Sequence, residues 1–396
     1  MTVRKILLCA CFIAMASVFF ALSVHLARVD SRINLQSPTS AYTQTHLALF
    51  TLATSTATSL ATSTTHLSAT KQATTTPTKK KSTSTEIVPQ NISLTQPVST
   101  PTQSNPASTQ KPTPDFAVIN TTARLAVVNI ICTTQVNGAL DPITATGVVI
   151  DPRGIILTNA HVGQYWLLQN FHTPNFVTCQ IRTGSPAYPR YNAELLYISP
   201  TWVKNNSSLL TETNPQGTGE NDFALLRITD ALDHSPLPTF PYLPPDTREV
   251  VTVGEPVDLV SYPAGFLGGM TILQDLNLTS ALTTVQKVFT FGTNTIDLLS
   301  VGGTIVSQKG ASGGAVVDGV GTLIGLISTE SDGSTTAQRD LRAITLAHIS
   351  RTLENETGYT LTQFLSTTTD LAGTAYEFQT NVAPGLSKLI EDQLVK

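Results

Sequence analysis

The stretch 308-QKGASGGAVVDGVGTLIGLIS-328 sets Ser312 among three glycines and then turns into an apolar β pattern. Placing Gly310, Gly313 and Gly314 around one serine costs backbone entropy, so it needs a geometric reason. One reason is a tight turn between two strands. The other is a serine whose hydroxyl must be bare to a substrate, with backbone N–H groups turned toward the same point. A serine nucleophile is feeble without a base and a group to orient that base. Both would have to come from elsewhere in the chain.

Two further motifs supply candidates. His161 ends the run 147-GVVIDPRGIILTNAHV-162, where Asp151-Pro152-Arg153-Gly154 is a turn signal between two apolar strands. Asp222 stands at the lip of another apolar strand in 220-ENDFALLRI-228. Taken singly, the histidine reads as structural and the acid as a turn cap. Taken together they fall in the chain order His, Asp, Ser. This arrangement resembles the chymotrypsin-like, or trypsin-like, serine peptidases over about residues 117–358. In "VVIDPRGIILTNAHV" and in 254-GEPVDLVSYPAG-265 it is most similar to the HtrA/Deg branch.

The resemblance implies a role for each residue. Ser312 would be the nucleophile, His161 its base, and Asp222 the group that orients and steadies the imidazole. The N–H groups of Gly310 and Ser312 would form the oxyanion hole. Val306 and Ser307 would lie at the floor of the side-chain pocket, in a segment without an acid. Ser328, Thr329 and Glu330 would pair with the substrate backbone, Ser328 also supporting Asp222. The implied activity is a serine endopeptidase working through an acyl-enzyme on polypeptide substrates. No cofactor and no metal is called for.

Departures from the family's pattern matter as well. Ala311 replaces the acid that pairs with a newly cut N-terminus in pancreatic-type members, so that activation route is not expected. Val162 stands where many secreted members carry a disulfide cysteine. Cys132 and Cys179 are therefore either a different disulfide or two buried thiols. The stretch after Gly358 is too short for the PDZ domain common in the HtrA branch.

The fold expectation is all-β: two antiparallel six-stranded barrels with a C-terminal helix. Short β runs alternate with turns from about residue 116, and helical periodicity first shows near Ala347–Thr357. The Pro-rich stretch 235-SPLPTFPYLPPD-246 divides barrels at about 116–234 and 247–345, with the helix at about 347–357. Together these make a peptidase domain at 116–358, followed by a tail at 359–396. The insertion 201-TWVKNNSSLLTETNPQGTGEN-221 reads as a surface loop.

Ahead of the domain lie two other segments. Residues 1–30 read as a signal or membrane anchor, with Arg4 and Lys5 before an uncharged apolar run, Ile6–Val24. Residues 31–115 are Ser/Thr-rich and read as a disordered stalk. The membrane is thus one expected partner, with the domain extracytoplasmic, or secreted if the first segment is cleaved. Charged residues are only 13% and the net charge is −4, which argues against nucleic acid. The sequence assigns no oligomeric state.

Two other classes compete. "GASGG" also fits the nucleophile elbow of α/β-hydrolases, with Asp340 and His348 in that chain order. That elbow requires a helix directly after the serine, and this sequence continues as strand. A non-catalytic or latent trypsin-like binding module on a stalk is the remaining alternative, although all three triad residue types are present.

Overall fold

The computed structural model describes residues 113–395 apart from 136–139, 213–214, 250 and 332. The expected anchor and most of the expected stalk lie outside these residues. Among the described residues, no helix is long and apolar enough to cross a membrane.

Six strands form the first barrel: β1 (Val127–Thr134), β2 (Ile143–Asp151), β3 (Ile155–Thr158), β4 (Val177–Thr183), β5 (Tyr188–Ile198) and β6 (Ala224–Ala231). They close in the order β1-β2-β3-β6-β5-β4, each pair antiparallel. Closure removes the exposed edges that an open sheet would present. Ile130, Ile156, Ile181 and Leu226 are buried together on one face of it, and Val148 and Leu157 on the other.

The second sheet comprises β7 (Pro256–Ser261), β8 (Thr279–Thr284), β9 (Lys287–Phe289), β10 (Leu298–Gly302), β11 (Ala315–Val317), β12 (Leu323–Glu330) and β13 (Leu341–Thr345). Its order is β8-β7-β11-β12-β13-β10-β9. The two end strands are joined in the chain by Val285 and Gln286 alone, so the sheet curls back on itself. The second unit is therefore a curled seven-strand half-barrel, where a six-stranded barrel was expected. The double-barrel expectation holds.

The Pro-rich stretch runs along both units rather than free between them. Phe240 N–H donates to Pro152 O at 3.0 Å and Leu243 N–H to Val149 O at 2.9 Å, on the first barrel. Leu323 N–H donates to Pro244 O at 2.9 Å, on the second. Phe240 and Leu243 are buried, the former edge-on to Tyr191.

Helices depart from the sequence reading. Helix α1 (Phe116–Ala126) precedes β1 where a β run was expected from Arg124; Asp115 caps it, and only Ala123 and Ala126 are buried on it. Helix α2 (Ala160–Leu167) follows β3, and α3 (Pro200–Asn206) begins the insertion read as a loop. Trp202 and Val203 of α3 are buried, so that segment is packed structure. A one-and-a-half-turn helix, α4 (Gly269–Gln274), lies between β7 and β8. Helix α5 (Leu346–Thr357) matches the expected C-terminal helix and ends at Gly358 in the left-handed conformation.

The tail continues as α6 (Leu361–Thr367), α7 (Leu371–Asn381) and α8 (Ala383–Leu394). Leu361, Phe364, Phe378, Leu386 and Ile390 join the first barrel's core. Gln379 Nε2 donates to Leu195 O at 3.0 Å, and Ser387 Oγ to Leu167 O at 2.8 Å. The tail is an integral layer of the domain, docked partly on α2.

Candidate active site

His161 is in the first turn of α2, and Asp222 sits on the turn leading into β6. That turn uses left-handed conformations at Gly219 (φ 84°) and Asn221 (φ 59°), with Asp222 N–H donating to Gly219 O at 3.2 Å. The Asp222 carboxylate grips the histidine twice. Its Oδ1 accepts from His161 N–H at 2.9 Å, and its Oδ2 lies 2.8 Å from His161 Nδ1. Ser328 Oγ donates to the same Oδ2 at 2.7 Å, and Asn159 Nδ2 fixes the Asp222 carbonyl at 3.0 Å.

These contacts decide the electrostatics. Burial by itself would push the Asp222 carboxyl up, but the charge and hydrogen bonds of His161, with that of Ser328, hold it below the ordinary value of 3.8. Burial likewise works against a charged His161, yet the Asp222 carboxylate outweighs it and raises the imidazole above 6.5. The grip on Nδ1 leaves Nε2 as the ring nitrogen without a partner among the described residues.

Ser312 comes from the other barrel, on the turn before β11. Gly310 and Gly313 flank it at φ 92° and 81°. A Cβ on Gly313 would stand 1.9 Å from Thr146 O, and one on Gly310 would stand 2.7 Å from Tyr262 O. Both positions therefore demand glycine. Thr146 of β2 is the dock: its N–H donates to Ser312 O at 2.8 Å and its Oγ1 to Gly310 O at 2.8 Å. Tyr262 N–H in turn donates to Thr146 Oγ1 at 3.0 Å. The serine turn is also tied to β12, Gly313 N–H donating to Ile327 O at 2.8 Å. The turn is thus held between β2, through Thr146, and β12, through Ile327, whose neighbour Ser328 reaches Asp222.

The peptide between Lys309 and Gly310 is turned one way. Lys309 O accepts from Ala264 N–H at 2.8 Å, so in this trans unit the Gly310 N–H points to the opposite side. Neither that N–H nor the N–H of Ser312 is donated to an acceptor among the described residues.

The expected substrate-binding residues divide. Thr329 and Glu330 pair with β13 on one side only and Ser328 stands at the bulge before them; the ladder to β11 stops at Leu326, leaving room for an added strand. Ser328 itself is committed to Asp222. Glu330 pairs with Arg339 at 3.3 Å, which removes it as a bare charge at the rim. Val306 is fully buried in the core of the second barrel, so its side chain lines no cleft. Ser307 is also buried, its Oγ accepting from Thr304 N–H at 3.0 Å. Cys132 and Cys179 face each other across β1 and β4 and are joined by a disulfide.

Four residues escaped the sequence reading: Asn159, Thr146, Ala264 and Arg339. Asn159 stood inside "TNAHV" and its polarity beside the histidine was the available signal. Thr146 and Ala264 act across long stretches of chain and Arg339 across a short loop, and none carries a local mark.

The family comparison agrees with the fold. Residues 145–326 match the family model of the trypsin-like peptidase domain, a span that holds His161, Asp222 and Ser312. No curated protein matches the chain. Among matching solved structures is an HtrA-type protease AlgW with tripeptide, at 20% identity and TM-score 0.40, covering 62% of this chain. The match spans 65% of that protein's length, less than two thirds. The chain carries a trypsin-like peptidase domain.

Proposed function

We propose that this trypsin-like peptidase domain is a serine endopeptidase using Ser312, His161 and Asp222. The observation that carries the reading is the double grip of Asp222 on His161, which fixes the imidazole with Nδ1 inward. The free Nε2 is then the nitrogen that takes the Ser312 proton as its oxygen attacks a substrate carbonyl. The carbonyl oxygen becomes an oxyanion, received by the unspent N–H groups of Gly310 and Ser312. His161 delivers the proton to the leaving amine, and water then repeats the sequence on the acyl-enzyme. A substrate strand laid along Ser328–Glu330 would bring its carbonyl to that point.

Action outside the cytoplasmic membrane is part of the proposal. It is supported by the Cys132–Cys179 disulfide and by the apolar Ile6–Val24 run after Arg4 and Lys5.

The test is labelling of the full-length chain by a fluorophosphonate, read by intact mass. One adduct is expected, absent from Ser312→Ala and from His161→Ala. An unlabelled, folded wild-type chain would return the reading to a binding module.

A further inference from the structure

Beside Ser312, the segment Thr304–Gln308 faces the end of β12. The gap between them is bridged by the guanidinium of Arg339. Its Nη1 donates to Ser307 O at 3.0 Å and to Glu330 Oε1 at 3.3 Å, and its Nε to Gly333 O at 3.3 Å. The guanidinium carbon lies 5.7 Å from the centre of the Phe266 ring. Arg339 and Glu330 are each largely buried, with side-chain exposures of 20% and 26%. The charge pair thus links the segment before Ser312 to the strand end along which the proposed substrate backbone would lie.

We propose that the Glu330–Arg339 pair is a charge-balanced plug that restricts this site to substrates with a small, uncharged side chain just before the cleaved bond. The inference rests on the peptidase reading above. Three features lead to it. A large side chain meets the guanidinium where it would need space. An acidic side chain meets Glu330, and a basic one meets Arg339, so either charge is opposed while the two remain paired. Because both ends of the bridge are anchored to opposite walls, at Ser307 and on β12, the plug does not swing away without breaking the ion pair.

Removing one member at a time separates charge from volume. Glu330→Gln keeps the shape and leaves a cation in the gap; among the described residues Glu330 is the one carboxylate paired with Arg339. Arg339→Ala opens the volume.

The experiment uses the full-length chain and both variants. Fluorophosphonate labelling first reports whether the Ser312 centre is assembled. A peptide mixture varied before the cleaved bond, read by mass spectrometry, then reports preference. Expected are wild-type cuts after Ala, Ser or Val, and a relative gain of about tenfold or more after Asp and Glu in Glu330→Gln. Arg339→Ala is expected to extend cutting to Leu, Met and Phe. If all three proteins label and their preferences coincide, the pair is no determinant and the inference fails alone. If only the wild type labels, the pair supports the serine turn instead, which also overturns it. If no wild-type labelling occurs, the peptidase reading falls and takes this inference with it.

Discussion

The Ser328 hydroxyl donates to the very carboxylate oxygen of Asp222 that faces His161, at 2.7 Å against 2.8 Å for the ring nitrogen. A residue from the second barrel therefore steadies the acid of the first. The two barrels are coupled chemically at that oxygen, as well as by packing.

Loss of the Ser328 hydroxyl should be felt in the reaction. Ser328→Ala removes a hydrogen bond to a buried carboxylate, an interaction of about 1.5–3 kcal/mol. The expected result is a fall in kcat/KM of about tenfold or more, checked against a peptide substrate. Ser328→Thr, which keeps a hydroxyl, should recover part of it.

The pH profile follows from the same pair. In the proposed reaction His161 must be neutral to act as a base, and Asp222 raises its pKa above 6.5. Activity should therefore disappear on acidification with a midpoint above 6.5, and Asp222→Asn should lower both that midpoint and the rate. Stability behaves differently. The raised His161 contributes fully below 6.5, fading as pH rises through its folded value. The depressed Asp222 contributes above 3.8 and loses it as pH falls through its folded value. The pair should stabilise most between those two ordinary values, measured as the wild-type advantage in Tm over Asp222→Asn across pH.

Gly310→Ala should disable the centre with limited effect elsewhere. Its Cβ would meet Tyr262 O at 2.7 Å and Ala264 N at 3.0 Å, in a conformation disfavoured for any side chain. Relief requires rotating the Lys309–Gly310 peptide, which withdraws one of the two proposed oxyanion donors. A drop in kcat of about 100-fold or more is expected from such a loss, read by single-turnover kinetics.

Arg182 holds a different joint. Only 1% exposed, its guanidinium donates to Ala187 O, to Asn129 Oδ1 and, across the barrels, to Ile272 O at 2.9 Å and Leu273 O at 3.0 Å. Arg182→Met would orphan these acceptors at a cost of about 3 kcal/mol. Both a lower Tm and faster limited proteolysis within 262–278 are expected; proteolysis unchanged there would count against the joint.

The tail should prove structural. Ile390 is fully buried in the apolar cluster that includes the first barrel's core, so Ile390→Ala should cost about 2–5 kcal/mol in urea unfolding. A variant within a few tenths of a kcal/mol of wild type would mean that the tail is only loosely attached.

The sequence by itself settled the strand-rich architecture and the three motifs around His161, Asp222 and Ser312. Each is a local pattern: glycines that only a strained turn needs, short alternating strands, and turns marked by Pro and Gly. Helices α1, α6 and α7 were not legible, because they bury narrow apolar stripes against a barrel whose surface no local window contains. Tertiary structure alone decided that Cys132 lies opposite Cys179, since register between β1 and β4 is set by pairing across 47 residues of chain. It also decided that Thr146 docks the serine turn and that Arg339 neutralises Glu330. The Thr146 contacts join residues distant in sequence and exist only once both barrels are in place, while the Arg339–Glu330 pair forms only once β12 and β13 have paired.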